Sequence, residues 1–513
     1  MILMSIDQKY FSGRIGRADE LTGRNYRIYR IFEIIPGALT WITILGSIFA
    51  SYKFPLYAAL FIIAFDVYWF IKTAFLSVHL RQNWRRVRHA LKTDWTAMLD
   101  TVKHDHIYNM VVLPFYKEDY SIIAKGLDSL LEAKTDHSRM IIVLAAEERA
   151  GDDAKAKIER ARLEYGTKFR YFFASIHPAN RPGEMAGKGS NISYACEEAR
   201  TKVLDANKIS YSNVIVSAFD IDTVVYPDYF SCLTWNVLHH PRPLHASFQP
   251  VPLYNNNIWD VPALSRVVAF SGTFWQMIQQ ERPERLATFS SHAVLFETLY
   301  KVGYWQTNMV SEDSRIFWNC FVAFDGDYEV VPISYPVSMD ANLAGSFTHT
   351  LKNIYLQQRR WSWGVENVAY ICYNFLWNKN IRFRRKLRML FVQFEGFWSL
   401  STNPLLIFLL GWLPVIIGKG SFRAMVLAYN LPFITRNIMI ITMCGLVLSS
   451  YMTYTLLPPA PKGTKWWKKT WFLLQWILAP VTITIFGAIP AVDSQTRLML
   501  GKYMGFWVTP KHR

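Results

Sequence analysis

The chain has 513 residues, 51% hydrophobic and 16% aromatic, with 19 Trp and a formal net charge of +17; that length calls for more than one folding unit. Cys196, Cys232, Cys320, Cys372 and Cys444 are scattered, odd in number and without a Cys-x-x-Cys pair, so a disulfide framework or a zinc site is not expected, and free thiols suit a reducing compartment. The basic clusters flank apolar stretches, which points to an anionic membrane surface and away from nucleic acid, whose binders set basic and aromatic residues along a soluble groove.

Residues 1–30 are polar and hold Arg14, Arg17, Arg24, Arg27 and Arg30; they read as a cytosolic N-terminal segment without a cleavable signal peptide. Residues 31–50 and 54–80 are apolar, and each suffices to cross a bilayer at about 1.5 Å per residue. The short link Ser51-Tyr52-Lys53 makes 31–80 an antiparallel transmembrane hairpin. The arginines before it, and Arg81, Arg85, Arg86, Arg88 and Lys92 after it, put both ends on the cytoplasmic side. Asp66 and Lys72 interrupt the second span. A helix-facing or interfacial pair is the plain reading and a conduit lining the sharper one.

Between about residues 105 and 345 the pattern becomes that of a soluble α/β domain, bounded here at 81–365. Strands are predicted over 109–114 (NMVVLP), 140–145 (MIIVLA), 169–174 and 214–219, with helical spacing over 119–134, 152–165 and 189–207. This alternation predicts a parallel, doubly wound sheet. Beyond it, 377–390 (WNKNIRFRRKLRML) mixes apolar and basic residues and is expected on the membrane surface, within an amphipathic interface segment 366–390. A C-terminal transmembrane region fills 391–513, with spans expected over 391–417, 431–457 and 471–489. Lys462, Lys465, Lys468 and Lys469 with Trp466 and Trp467 form a cytoplasmic interfacial loop. Five crossings place the tail outside, whereas Lys502, Lys511 and Arg513 favour inside; Pro480 and Pro490 offer a break that makes the last stretch re-entrant.

The chemistry centres on Val214 to Thr223, VIVSAFDIDT. A buried β-branched strand of this kind delivers Asp220 and Asp222 to the carboxyl edge of a parallel sheet, where α/β folds bind ligands. Two carboxylates there suit Mg²⁺ or Mn²⁺ bridging phosphates, although a lone Asp-x-Asp is more often a solvated turn. Four other segments join it. Pro114-Phe115-Tyr116-Lys117-Glu118 ends the first strand and suits a base and ribose, with Glu118 as acceptor. Gly187-Lys188-Gly189-Ser190-Asn191 opens a helix whose amides and Lys188 favour a phosphate. Ser311-Glu312-Asp313 offers a general base, against the plainer reading of an exposed turn. Gln357-Gln358-Arg359-Arg360-Trp361 offers an arginine for a diphosphate and a tryptophan for a sugar face; standing alone it reads as a basic helix beside a membrane.

In this order the segments resemble the membrane-integrated family-two inverting glycosyltransferases, which include cellulose, chitin and hyaluronan synthases. The resemblance covers nearly the whole chain and is carried by Asp220-Ile221-Asp222, Ser311-Glu312-Asp313 (Ser for the usual Thr) and Gln357/Arg360/Trp361. Trp507-Val508-Thr509 is faintly similar to the Trp-Gly-Thr tail of hyaluronan synthases. The early strand departs from the pattern, ending Ala145-Ala146-Glu147-Glu148 where the family has Asp, so Glu147 stands in for the base contact.

The resemblance implies an α/β GT-A (Rossmann-like) cytosolic domain inserted between transmembrane helices, in a multi-pass protein of the plasma membrane. It implies a donor that is a nucleoside-diphosphate sugar, commonly of uridine, with guanosine as the alternative. Asp220 and Asp222 would hold Mg²⁺ or Mn²⁺; Glu118, Glu147, Lys188, Asp220 and Arg360 would bind donor; Asp313 with Glu312 would act on the acceptor hydroxyl; Gln357, Arg360 and Trp361 would bind acceptor or product. The implied product is a β-linked polysaccharide exported through the bilayer. Single-sugar transfer to a lipid is the alternative, and a non-catalytic sugar-binding or transport protein the remoter one.

Overall fold

The structure, a computed structural model, describes residues 14–507. Its centre is an eight-stranded sheet: β1 (Tyr108–Phe115), β2 (Met140–Glu147), β3 (Tyr171–His177), β4 (Val214–Ala218), β5 (Val224–Val225), β6 (Ala246–Leu253), β7 (Ala293–Leu295) and β8 (Glu329–Ser338), in the order β3-β2-β1-β4-β7-β6-β8-β5. β1 to β4 are parallel, with Phe115 opposite Ala146 and Val112 opposite Ala218. Every residue of β2 and β4 is buried, as expected of aliphatic strands covered on both faces.

The expectation of a wholly parallel sheet is corrected. β7 runs antiparallel to both β4 and β6, and β5 antiparallel to β8. The reasons are local. β7 is three residues long, too short for a periodicity, and β6 and β8 each contain two prolines, with a register shift between Gln249 and Val251. Proline masks a strand in sequence and is accommodated at such irregularities. The helix expected over 189–207 is Lys188–Ala199, followed by a π-helical turn Arg200–Asp205.

One apolar layer packs under helices Tyr120–Glu132, Asp152–Tyr165 and Tyr229–His239. The other packs under Lys188–Ala199, Phe296–Val302, Glu312–Ala323 and Glu366–Trp377. Residues 366–375 are all buried, with Tyr370, Ile371 and Phe375 in that second layer. The chain leaves it through a turn into helix Phe383–Phe408, where Phe383, Leu387 and Phe391 stand exposed.

Among the described residues, helices Gly23–Lys53, Pro55–Ala90 and Trp466–Met499 are long and apolar enough to cross a membrane, as is the pair Phe383–Phe408 and Leu410–Ile417, bent by 46°. Gly23–Lys53 and Pro55–Ala90 follow one another directly, with Phe54 alone between them. Only 22% and 17% of their most apolar stretches are buried by protein, an exposure consistent with membrane association. Lys72 is helix-facing: its Nζ meets Glu395 Oε1 at 2.7 Å, and Arg285 takes Glu395 Oε2 at 3.0 Å.

The stretch Trp466–Met499 differs from the others. It breaks into short segments, with prolines 480 and 490 in the first turns of Ala479–Ile483 and Ile489–Met499, positions that suit proline. It touches the α/β domain near both ends. Gln475 Oε1 accepts from Arg266 Nε at 2.7 Å, and Asp493 Oδ2 accepts from Arg359 Nη1 at 3.1 Å.

The exposed apolar helices predict that alkaline carbonate extraction leaves the protein in the membrane pellet. Release into the supernatant would show that these helices meet a protein surface instead of lipid.

Candidate active site

Three chain segments meet on one ammonium group. Lys188 is the first residue of helix Lys188–Ala199, and its Nζ donates to Asp220 Oδ1 at 2.7 Å and lies 3.0 Å from both carboxylate oxygens of Asp313. Asp220 sits two residues beyond β4, and its Oδ2 accepts from Ser290 Oγ at 2.8 Å. Asp222 is buried in the following turn; its Oδ2 accepts from the Asp340 amide at 3.2 Å, and its carbonyl accepts from Asn256 Nδ2 at 2.9 Å. Glu312 and Asp313 open helix Glu312–Ala323, and Glu312 is buried, so the exposed-turn reading of this motif does not hold.

The approach is tight because residue 189 is glycine. A Cβ there would fall 2.8 Å from the Gln306 carbonyl oxygen and 3.0 Å from Glu312 Cβ. Asn191 ties the same helix to β2, donating to the Ala145 carbonyl at 2.9 Å.

Burial dominates the electrostatics. It pulls the Lys188 ammonium down, but the charges of Asp220, Asp313 and Glu312 outweigh it and the net shift is upward. Burial, then the neighbouring Asp313 charge, pushes the Glu312 carboxyl up to about 8, partly offset by Lys188 and Arg360. Of the two adjacent carboxyls, the buried Glu312 is thereby biased toward its neutral form. His292 is wholly buried, with its Nδ1 4.0 Å from Asp313 Oδ1. The network assigns its proton: Nδ1–H donates to the Phe289 carbonyl at 2.7 Å, and Nε2 accepts from Trp305 Nε1–H at 3.1 Å. Burial lowers its pKa and keeps the ring neutral.

Glu118 and Glu147 lie at the carboxyl ends of β1 and β2. Glu118 folds back on its own loop, accepting from the Tyr116 and Lys117 amides at 2.7 and 3.1 Å. Glu147 is buried and held by both arms of the Arg149 guanidinium, which stacks 4.3 Å from the Tyr116 ring centroid. Neither glutamate reaches the Lys188 cluster through a direct bond.

Gln357, Arg360 and Trp361 share helix Phe347–Ser362. Trp361 packs near Tyr254 and Phe289, with ring centroids 6.0 and 5.7 Å away. Gln357 receives only a long contact from Asn342, 3.5 Å. Arg360 lies 5.1 Å from the Phe506 ring, and a Cβ at Gly187 would fall 2.6 Å from the same ring. The tail therefore reaches the site at Phe506, one residue before Trp507; Val508 and Thr509 lie outside the described residues.

The donor set at Asp220 and Asp222 is hard oxygen, which Mg²⁺ and Mn²⁺ favour, and such ions take one or two carboxylates and complete their shell with water and phosphate. Among the described residues no group of three or more His, Cys, Asp or Glu could by itself hold a metal ion.

Residues 215–486 match the family described as Glycosyl transferase family group 2. The chain belongs to that family and is a glycosyltransferase with a GT-A domain. Similar solved structures include the mannosyltransferase PcManGT from Pyrobaculum calidifontis in complex with GDP-Man and Mn²⁺, at 14% identity and TM-score 0.40, covering 82% of this chain and 99% of that one. TarS 1–349 of S. aureus in complex with UDP-GlcNAc is similar at 11% identity and TM-score 0.31, covering 67% of this chain and 91% of that one. No curated protein sequence matches the chain.

Ser290, His292, Arg149 and Phe506 escaped the sequence reading. Each acquires its place from a partner distant in the chain or from a loop without periodicity.

Two measurements test this geometry. Gly189→Ala overpacks the contact between helix and catalytic turn and should cost about 1–3 kcal/mol of stability, read as a lowered thermal midpoint together with reduced turnover. Glu312 binds a proton more tightly folded than unfolded, so metal-free wild type should lose stability relative to Glu312→Gln as pH rises from about 5 to 8, with the gap level above that. A gap independent of pH would mean that Glu312 is ionised throughout.

Proposed function

We propose that the chain is a processive inverting hexosyltransferase. It transfers a sugar from a nucleoside-diphosphate sugar, of uridine in the first instance, to a growing β-linked polysaccharide and couples synthesis to export. The observation that carries this reading is the meeting of Lys188, Asp220 and Asp313, beside Arg360 and Trp361, at the sheet's carboxyl edge.

The donor diphosphate lies at the start of helix Lys188–Ala199, where free amides, Lys188 and Arg360 supply positive charge. Carboxylates crowd the same place, so an anionic diphosphate needs further neutralisation. Asp222 and Asp220 would hold Mg²⁺ or Mn²⁺, which would supply that neutralisation, an effect worth several kcal/mol at the departing phosphate. Glu118 and Glu147, at the ends of neighbouring strands, take the base and ribose. Trp361 offers an aromatic face to the acceptor sugar, and Gln357 a polar edge.

Asp313 takes the proton from the acceptor hydroxyl. The oxygen attacks the anomeric carbon from the face opposite the diphosphate, the bond to phosphate oxygen breaks, and the diphosphate leaves with the electron pair. One displacement inverts the anomeric centre without a covalent enzyme intermediate. Neutral Glu312 adds no second negative charge beside the base.

The basic flanks of the hairpin support a cytoplasmic α/β domain beneath the plasma membrane. Contacts of Trp466–Met499 with Arg266 and Arg359 support a stretch that follows this domain instead of leaving it. The tail then lies on the same side, as Lys502 suggests.

Incubating purified protein with Mn²⁺ and radiolabelled UDP- and GDP-sugars, then sizing the products, tests the reading. One donor should give a high-mass product, absent in Asp222→Ala and reduced about 10²–10⁴-fold in Asp313→Asn. A small lipid-extractable product would replace polymer synthesis by transfer to a lipid. Near-normal turnover in Asp313→Asn would remove the base assignment.

A further inference from the structure

Helix Glu312–Ala323, which carries the proposed base, begins at Ser311, whose side chain makes no capping bond to the helix's own first turn. The acceptor comes from elsewhere. Glu366 is buried, and its Oε1 accepts from the Ser311 amide at 2.9 Å, the Ser311 hydroxyl at 2.7 Å and the Val310 amide at 3.3 Å. Its Oε2 accepts from the Trp363 indole N–H at 2.9 Å. The next residue continues the clamp: Asn367 accepts from Arg315 Nε at 2.6 Å and donates to Ser314 Oγ at 2.9 Å. Both residues open helix Glu366–Trp377, which follows Phe347–Ser362, the helix of Arg360, after one short turn.

We infer that Glu366 is a positioning residue for glycosyl transfer: it locks the Ser311–Asp313 turn to the helix of Arg360, so that base and diphosphate-binding guanidinium keep a fixed spacing. This rests on Asp313 being the base. Every hydrogen that meets Glu366 comes from a donor, so the position requires a group that only accepts. A glutamine has one accepting oxygen. Whichever way it turns, its NH₂ faces either the Trp363 indole or the Ser311 donors, and one buried donor loses its acceptor. A carboxylate also suits the positive end of a helix. The consequence is a displaced Asp313 in a protein that is otherwise folded.

The test uses full-length protein with Mn²⁺ and UDP-glucose, UDP-N-acetylglucosamine or GDP-mannose, measuring kcat, donor KM and thermal midpoint. With the donor that wild type consumes, Glu366→Gln should lower kcat about 100-fold, the scale of an ångström misplacement, with donor KM unchanged. Trp363→Phe removes the indole donor; it should lower the midpoint but keep kcat. Glu366→Gln combined with Trp363→Phe should recover most of the lost kcat, because the glutamine NH₂ then opposes no donor. If kcat instead follows the midpoint across the set, or Glu366→Gln keeps wild-type kcat while Asp313→Asn is inactive, the positioning role is wrong and the base assignment survives. Turnover in Asp313→Asn removes the base assignment itself, whatever Glu366→Gln does.

Discussion

The arrangement depends on one buried ammonium held between carboxylates from two distant parts of the chain. An ion taken out of water costs several kcal/mol, and only close, well-directed partners offset that. Lys188 meets the requirement with Asp220 and Asp313 at 2.7 and 3.0 Å. Three elements must then agree in position: the end of β4, the start of helix Lys188–Ala199 and the start of helix Glu312–Ala323. Gly189 permits the approach of the two helix ends, and Ser290 holds the second oxygen of Asp220.

The same balance makes adjacent residues chemically unequal. A fully ionised Glu312–Asp313 pair would leave Lys188 outnumbered in a place with little water. Burial eases this by shifting the more deeply placed Glu312 toward its neutral form. His292 could have contributed a positive charge beside Asp313, but both its nitrogens are committed, one to the Phe289 carbonyl and one to the Trp305 indole. It packs the back of the site as a neutral ring.

How much of this could be read from sequence follows from where each constraint lies. The meeting of Lys188, Asp220 and Asp313 could be anticipated because the strand and helix signals beside them point to one edge of the sheet. β1, β2 and β4 were legible from their aliphatic stretches and β3 from its apolar, aromatic start. β6 and β8 were not, since their prolines suppress the strand signal. Ser290 and Glu366 were invisible because their meaning lies in partners 70 and 55 residues away. The stretch Trp466–Met499 shows the limit of hydropathy: it measures whether a segment tolerates lipid, whereas Arg266 and Arg359, both outside that segment, decide what it lies against.

Those two arginines bear on why the domain and its apolar helices form one unit. Neighbouring residues on a helix point about 100° apart, given 3.6 residues per turn. Arg359 turns to Asp493 at 3.1 Å, while Arg360 turns toward Glu312 and Phe506. One helix thus holds the C-terminal apolar stretch with one residue and addresses the catalytic centre with the next. Arg497 meets the other oxygen of Asp493 at 2.7 Å, and the tail that follows brings Phe506 against Gly187. The apolar stretch therefore holds one side of the helix carrying Arg360, and the tail that follows it supplies part of the wall beside Lys188. The C-terminal apolar stretch is in this sense a structural component of the candidate site, whose geometry draws on both the α/β domain and the helices beyond it.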